Sequence, residues 1–179
     1  MRAISLVAAA ALVGCASANT APGASNSGTA RVSSGQGEQV ISTGAVPIAG
    51  KSTIAAPLDK LWSALPAAYQ SISIPLTTIE AQDHLLGNRG LQLRRRLGDV
   101  PLSRYIDCGT AQGGASANSY DVNLSVITQL AAADATHTDV TTTVDAVAKP
   151  VLFTGEYVHC GTTGNLEAWI SKLLEATAK

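Results

Sequence analysis

The strictest constraint on this chain is a period of two. Tyr120, Val122, Leu124, Val126 and Leu130 are interleaved with Asp121, Asn123, Ser125 and Gln129, and further on Val140, Val144 and Ala146 are interleaved with Asp139, Thr141, Thr143 and Asp145. Successive side chains of a strand point to opposite faces, so such alternation suits a strand with one dry and one wet face. Asp134 to His137 is a polar break between the two runs. A turn there makes them neighbours in an antiparallel sheet. The rest of the chain must supply an apolar layer for the dry face.

Two helical stripes fit that need. After Pro57, the residues Leu58, Leu61, Trp62, Leu65, Tyr69 and Ile72 recur at steps of one, three and four, and near the C-terminus Leu166, Trp169, Ile170, Leu173 and Leu174 recur at steps of three and one from a start near Thr163. Pro57 suits a first turn, where its missing N–H costs nothing, whereas Pro66 inside the stripe predicts a kink or a division near Trp62. Between the helices, Thr77 to Leu86 alternates with Ile79, Ala81 and Leu85 on one face. Gly87-Asn88-Arg89-Gly90 then reads as a hairpin turn into a strand from Leu91 to Leu97. One or two short strands are expected between Glu38 and Thr53. The sum is an α+β, two-layer fold: an antiparallel sheet of about four to six strands with two helices packed on one face.

The N-terminus carries a different message. Arg2 is followed by an uncharged run from Ala3 to Gly14, too short for the roughly 20 apolar residues that cross a bilayer but of the length of a secretory signal. Leu12-Val13-Gly14-Cys15 resembles the lipobox of bacterial lipoproteins. The resemblance implies a signal peptide over residues 1–14 and lipid on Cys15. Ala16 at the next position implies the outer membrane, facing the periplasm. Residues 15–37 are mostly Ala, Ser, Gly, Thr and Asn, with one cation at Arg31. That composition buries too little to offset ordering entropy, and predicts a tether spanning about 25 Å. Residues 38–179 are then a single domain.

With Cys15 assigned to lipid, Cys108 and Cys160 remain as a pair. In an oxidising compartment such a pair is expected to bond, adding up to about 4 kcal/mol in the chain-entropy model. A redox or metal role for Asp107-Cys108-Gly109 and His159-Cys160-Gly161 stays open, without Cys-x-x-Cys spacing to support it. Loss of Arg2 with the signal takes one from 12 basic residues set against 13 acidic ones, so nucleic acid is not an expected partner.

Thr53-Ile54-Ala55-Ala56-Pro57-Leu58-Asp59-Lys60-Leu61-Trp62-Ser63-Ala64-Leu65 resembles the first strand-to-helix junction of START/SRPBCC-type helix-grip domains. The late helix around Trp169 matches the long helix those sheets grip. The chain is also similar, in strand count and in its lipobox, to the shorter helix-grip domain of BamC-like assembly-machinery lipoproteins. The resemblance implies a helix-grip fold. With four clear strands between the helices instead of six, it does not imply the larger family's ligand cavity.

Chemistry-bearing residues are scattered. His84 is expected on the wet face, His137 in a turn and His159 beside Cys160, with no zinc-type spacing, so neither a metal nor a cofactor is expected. No Gly-x-Ser-x-Gly elbow, dinucleotide fingerprint or P-loop occurs. Ser116 falls in a Gly, Ala and Ser-rich stretch that reads as a flexible linker. Arg94-Arg95-Arg96 is more informative: alternation sends Arg94 and Arg96 to the wet face and Arg95 inward. An inward Arg95 either holds an anionic head group at the mouth of a helix-sheet pocket, or marks a bulge or a pairing with Asp107. These three arginines are the candidate ligand or partner contacts. The expectation is a non-catalytic binding or scaffold module with an envelope protein partner. The alternatives are a carrier or sensor of an apolar ligand, and a hydrolytic enzyme.

Overall fold

A computed structural model describes residues 28–34, 37–43, 49–111, 114–151 and 156–178. The signal segment, Cys15 and the first part of the expected tether lie outside these residues. In chain order the strands are β1 (Gly28–Ser34), β2 (Gly37–Thr43), β3 (Gly50–Ile54), β4 (Thr78–Glu80), β5 (Leu85–Arg94), β6 (Arg96–Leu97), β7 (Val100–Pro101), β8 (Ile106–Asp107), β9 (Thr110–Ala111), β10 (Gly114–Ala115), β11 (Asp121–Ala132), β12 (Thr138–Lys149) and β13 (Val158–Thr162). Helix α1 (Leu58–Ser71) follows β3, and α2 (Asn165–Ala178) closes the chain.

The alternating runs form the centre. β11 and β12 pair antiparallel from Asp121↔Lys149 to Ala132↔Thr138, and Val122, Leu124, Val126 and Leu130 are buried opposite Ala148, Ala146, Val144 and Val140. The Asp134 carboxylate fixes the turn between them, accepting the N–H groups of Thr136 at 2.7 Å and His137 at 2.8 Å, as short polar side chains do in tight turns. β5 pairs with the free side of β11. Beyond β5 lie β4 at one end and the β6–β7 hairpin at the other. The outer side of β12 is likewise shared: β3 covers Thr138 to Thr142, and β13 covers Ala146 to Ala148.

Both helices lie on the dry face. Leu61, Leu65, Ala68 and Tyr69 of α1 and Leu166, Ile170 and Leu174 of α2 join the strand residues in one core. Fully burying each such Leu or Ile contributes about 1.5–3 kcal/mol. α1 packs on β5 and β11, and α2 on β3 and β12. Lys60 at the start of α1 donates to the Ala178 carbonyl at the end of α2, 2.5 Å away. This is the two-layer α+β arrangement that the periodicities predict. No helix among the described residues is long and apolar enough to cross a membrane.

Several details differ from expectation. The turn is not at Gly87–Gly90: residues 81–84 make it, and β5 runs on through Gly87 to Arg94. A register shift opposite Leu124 and Val126 gives β5 one extra residue, a bulge. Gly87 is needed there because a Cβ would overlap the Val126 carbonyl oxygen. α1 runs continuously for 14 residues across Pro66 and is not divided; its packed face outweighs one lost hydrogen bond. Part of the stretch expected as tether pairs instead, since β1 and β2 form an antiparallel hairpin as a sheet of its own. Backbone hydrogen bonding there needs no apolar side chains. Around the other expected linker, Ser116 is buried and opens a short 3-10 turn, its N–H donating to the Gly109 carbonyl.

Candidate functional site: the open sheet face

The face of the sheet opposite the helices is laid out in rows by strand register. Arg94 of β5, Asp121 of β11 and Lys149 of β12 stand side by side. The Arg94 Nε is 3.4 Å from the Asp121 carboxylate, with both side chains more than half exposed. Such an exposed pair is worth about 0–1 kcal/mol, so it contributes little to stability. Lys149 Nζ lies 5.2 Å from the centre of the exposed Tyr157 ring, a cation–π contact. Arg96, directly across from Arg94 in the β5–β6 pairing, adds a second guanidinium.

The next row is Gln92, Asn123, Val147 and His159. Toward the other end of the sheet come Leu85, Gln129, Thr141 and Lys51, then Ala131, Asp139 and Thr53. Thr53 Oγ1 donates to Asp139 at 2.6 Å. The face is thus cationic at the Arg94, Arg96 and Lys149 corner and acidic around Asp139 and Asp145. This charge pattern can orient a complementary surface.

Arg95 does not point inward. Its φ of 71° takes it out of the strand, its side chain is exposed, and its carbonyl accepts the Leu102 N–H at 2.9 Å. One residue in the left-handed region lets Arg94 and Arg96 face each other while Leu97 returns to the core. The expected partner Asp107 caps its own turn, accepting the Gly109 N–H at 2.8 Å.

Cys108 and Cys160 form a disulfide that ties the segment after β8 to β13, 52 residues apart in sequence. The three histidines stay apart. His84 is not on the wet face: its ring meets Trp62 of α1 edge-on, 5.5 Å between centroids. His137 pairs with Asp134 at 2.9 Å, and His159 is exposed on β13. The Asp134 carboxyl is held well below the ordinary carboxylate range by the Thr136 backbone N–H first, then by the His137 ring and the Thr136 hydroxyl. Among the described residues no three His, Cys, Asp or Glu side chains group as a metal site.

A groove of about 730 Å³ runs along the outer side of α1, lined by Ser63, Pro66, Ala67 and Gln70 with the loop from Ser73 to Leu76. Arg95 is not part of its lining.

Two buried polar features escaped the sequence reading. Tyr69 Oη, Thr128 Oγ1 and Thr142 Oγ1 form a chain with 2.9 Å links through the core; burial raises the phenol's pKa well above its usual range. Glu167, in the first turn of α2, is 3% exposed. Thr162 Oγ1 donates to one carboxylate oxygen at 2.6 Å, while the other has no partner. Burial pushes its pKa up, against the opposing effects of the Thr162 hydroxyl and the Glu167 backbone N–H. An acidic residue beside the Leu166 and Ile170 stripe, five residues after a Thr, was the only signal. No protein-family model matches the chain, and no curated protein matches it in sequence.

Proposed function

We propose that this chain is an envelope lipoprotein, anchored by lipid on Cys15 to the outer membrane, whose helix-grip-like domain is a binding or scaffold module for a protein partner. The observation that carries the binding reading is the in-register row Arg94, Asp121 and Lys149, with Arg96 beside it, on a sheet face that neither helix covers. Strand register fixes the backbone spacing of these charged residues before binding, which favours selective contact. Lipid anchoring rests on Leu12 to Cys15 alone.

The test has two arms in intact cells. Cys15→Ser moves the protein from membranes to the soluble envelope fraction; retention on membranes rejects the anchor. Arg94→Glu with Arg96→Glu abolishes site-specific crosslinking from wet-face positions to a discrete partner while thermal unfolding stays unchanged. Equal crosslinking in the double variant rejects the charged corner as the contact.

The groove along α1 favours a second reading, a carrier or sensor of an apolar ligand. Pockets of a few hundred Å³ with mainly apolar walls suit small amphiphiles. A lipid copurifying in equimolar amount, and lost on Ala67→Trp, would replace the first reading with this one.

A further inference from the structure

The outer side of β12 is covered by two strands that meet end to end. β3 begins at Gly50, opposite Thr142, while the paired stretch of β13 reaches Cys160, opposite Ala146. Between them Thr143, Val144 and Asp145 of β12 face a seam. Glu167 sits over this seam from the helix side. Its Cβ occupies the space above Gly50, where an added methyl group would stand 2.5 Å away. Its carboxyl takes the hydroxyl of Thr162, which in turn accepts the Gly164 N–H at 3.0 Å. One side chain therefore joins the start of β3, the end of β13 and the first turn of α2.

The second carboxyl oxygen has no hydrogen-bond partner and no access to water. The other titratable groups on the surrounding elements do not compensate it. Lys51 of β3, Asp139 and Asp145 of β12 and His159 of β13 belong to the opposite face by alternation, Asp107 of β8 and Arg104 before it are exposed, and Tyr105 stacks on Trp169. Lys172 and Glu175 lie on the exposed side of α2. None of these makes an ion pair with Glu167 among the described residues. Charge at this position is opposed by desolvation more strongly than the Thr162 hydroxyl and the Glu167 backbone N–H favour it.

We propose that Glu167 is a protonation latch on the β3–β13 seam: the neutral acid keeps the seam shut, and loss of its proton to solvent frees β3. The ionised carboxyl gains hydration only by moving out past Gly50, which separates α2 from β3 and breaks the 2.9 Å contact between Ser52 Oγ and Ser171 Oγ. Release of β3 bares the backbone of Thr138 to Thr142 on β12, leaving that strand edge unpaired. The device thus couples the pH around the protein to the pairing of β3 with β12. It does not depend on lipidation or on the charged corner.

Amide hydrogen exchange of the full chain between about pH 5 and about pH 9, corrected for intrinsic rates, tests it. Protection of β3 and of Thr138 to Thr142 falls by about tenfold or more with rising pH while that of β11 holds, and it returns on acidification. Glu167→Gln removes the pH dependence. Thr162→Val moves the opening to higher pH, because the Thr162 hydroxyl favours the ionised form. The latch is overturned by an unaltered pH response in Glu167→Gln, by an unmoved midpoint in Thr162→Val, or by equal loss of protection in β11. Should Glu167→Gln not fold, the Thr162→Val midpoint decides alone.

Discussion

The side-chain amide of Asn88 donates a 2.7 Å hydrogen bond to the carbonyl of Pro75, and its oxygen accepts the Gly90 N–H at 2.9 Å. One 3%-exposed residue thus pins the bulge in β5 to the loop leaving α1. Asn88→Ala removes both side-chain-to-backbone hydrogen bonds, each worth about 0.5–1.5 kcal/mol net. A drop of that size in urea unfolding free energy, with an unchanged m-value, is the expected result; a loss under about 0.5 kcal/mol would show the bulge holds itself.

Asn88 also explains where the sequence was legible and where it was not. Period-two alternation located β11 and β12 and their faces, because each side chain there obeys only its own strand. Gly87-Asn88-Arg89-Gly90 has the composition of a tight turn, yet a bulge asks for the same residues, and only the pairing partner on β11 distinguishes the two. The reversal was placed too late for that reason. Arg95 followed the same logic: a one-residue left-handed break undoes the alternation that would have sent it inward. Glu167 and the Tyr69, Thr128 and Thr142 chain are buried by neighbours distant in sequence, which no local pattern reports. The charged corner was half legible, since Arg94 and Asp121 were each assigned to the wet face but their row with Lys149 depends on register.

The Cys108–Cys160 link closes a long loop, so its removal acts mainly on the unfolded chain. The double variant Cys108→Ala, Cys160→Ala should lose about 2–4 kcal/mol, and alkylation of denatured, unreduced wild type should find neither of these thiols free. Labelling of both would reject the bond.

The hydroxyl chain through the core links α1 to both central strands. Tyr69→Phe removes the donor or acceptor that Thr128 uses, and the expected cost is about 0.5–1.5 kcal/mol, since Thr128 keeps its bond to Thr142. Thr128→Val breaks both links and should cost more than Tyr69→Phe. Equal effects in thermal melts would mean that the chain is not continuous in solution.

Glu167 makes stability itself depend on pH, with a definite sign. Its pKa is higher in the folded protein than in the unfolded chain, chiefly through burial, so between those two values the folded state holds the extra proton. Protons then favour folding. Below the ordinary glutamate range the carboxyl is neutral in both states and contributes no slope. As pH rises from that range through the raised folded value, stability falls, and above it the loss is complete. In Glu167→Gln this slope is absent, so the variant's melting temperature should pull ahead of wild type progressively as pH rises, by about 2–4 °C for each kcal/mol recovered. Parallel melting curves for the two proteins across that window would mean that the Glu167 carboxyl finds, in solution, partners that keep its charge at no cost.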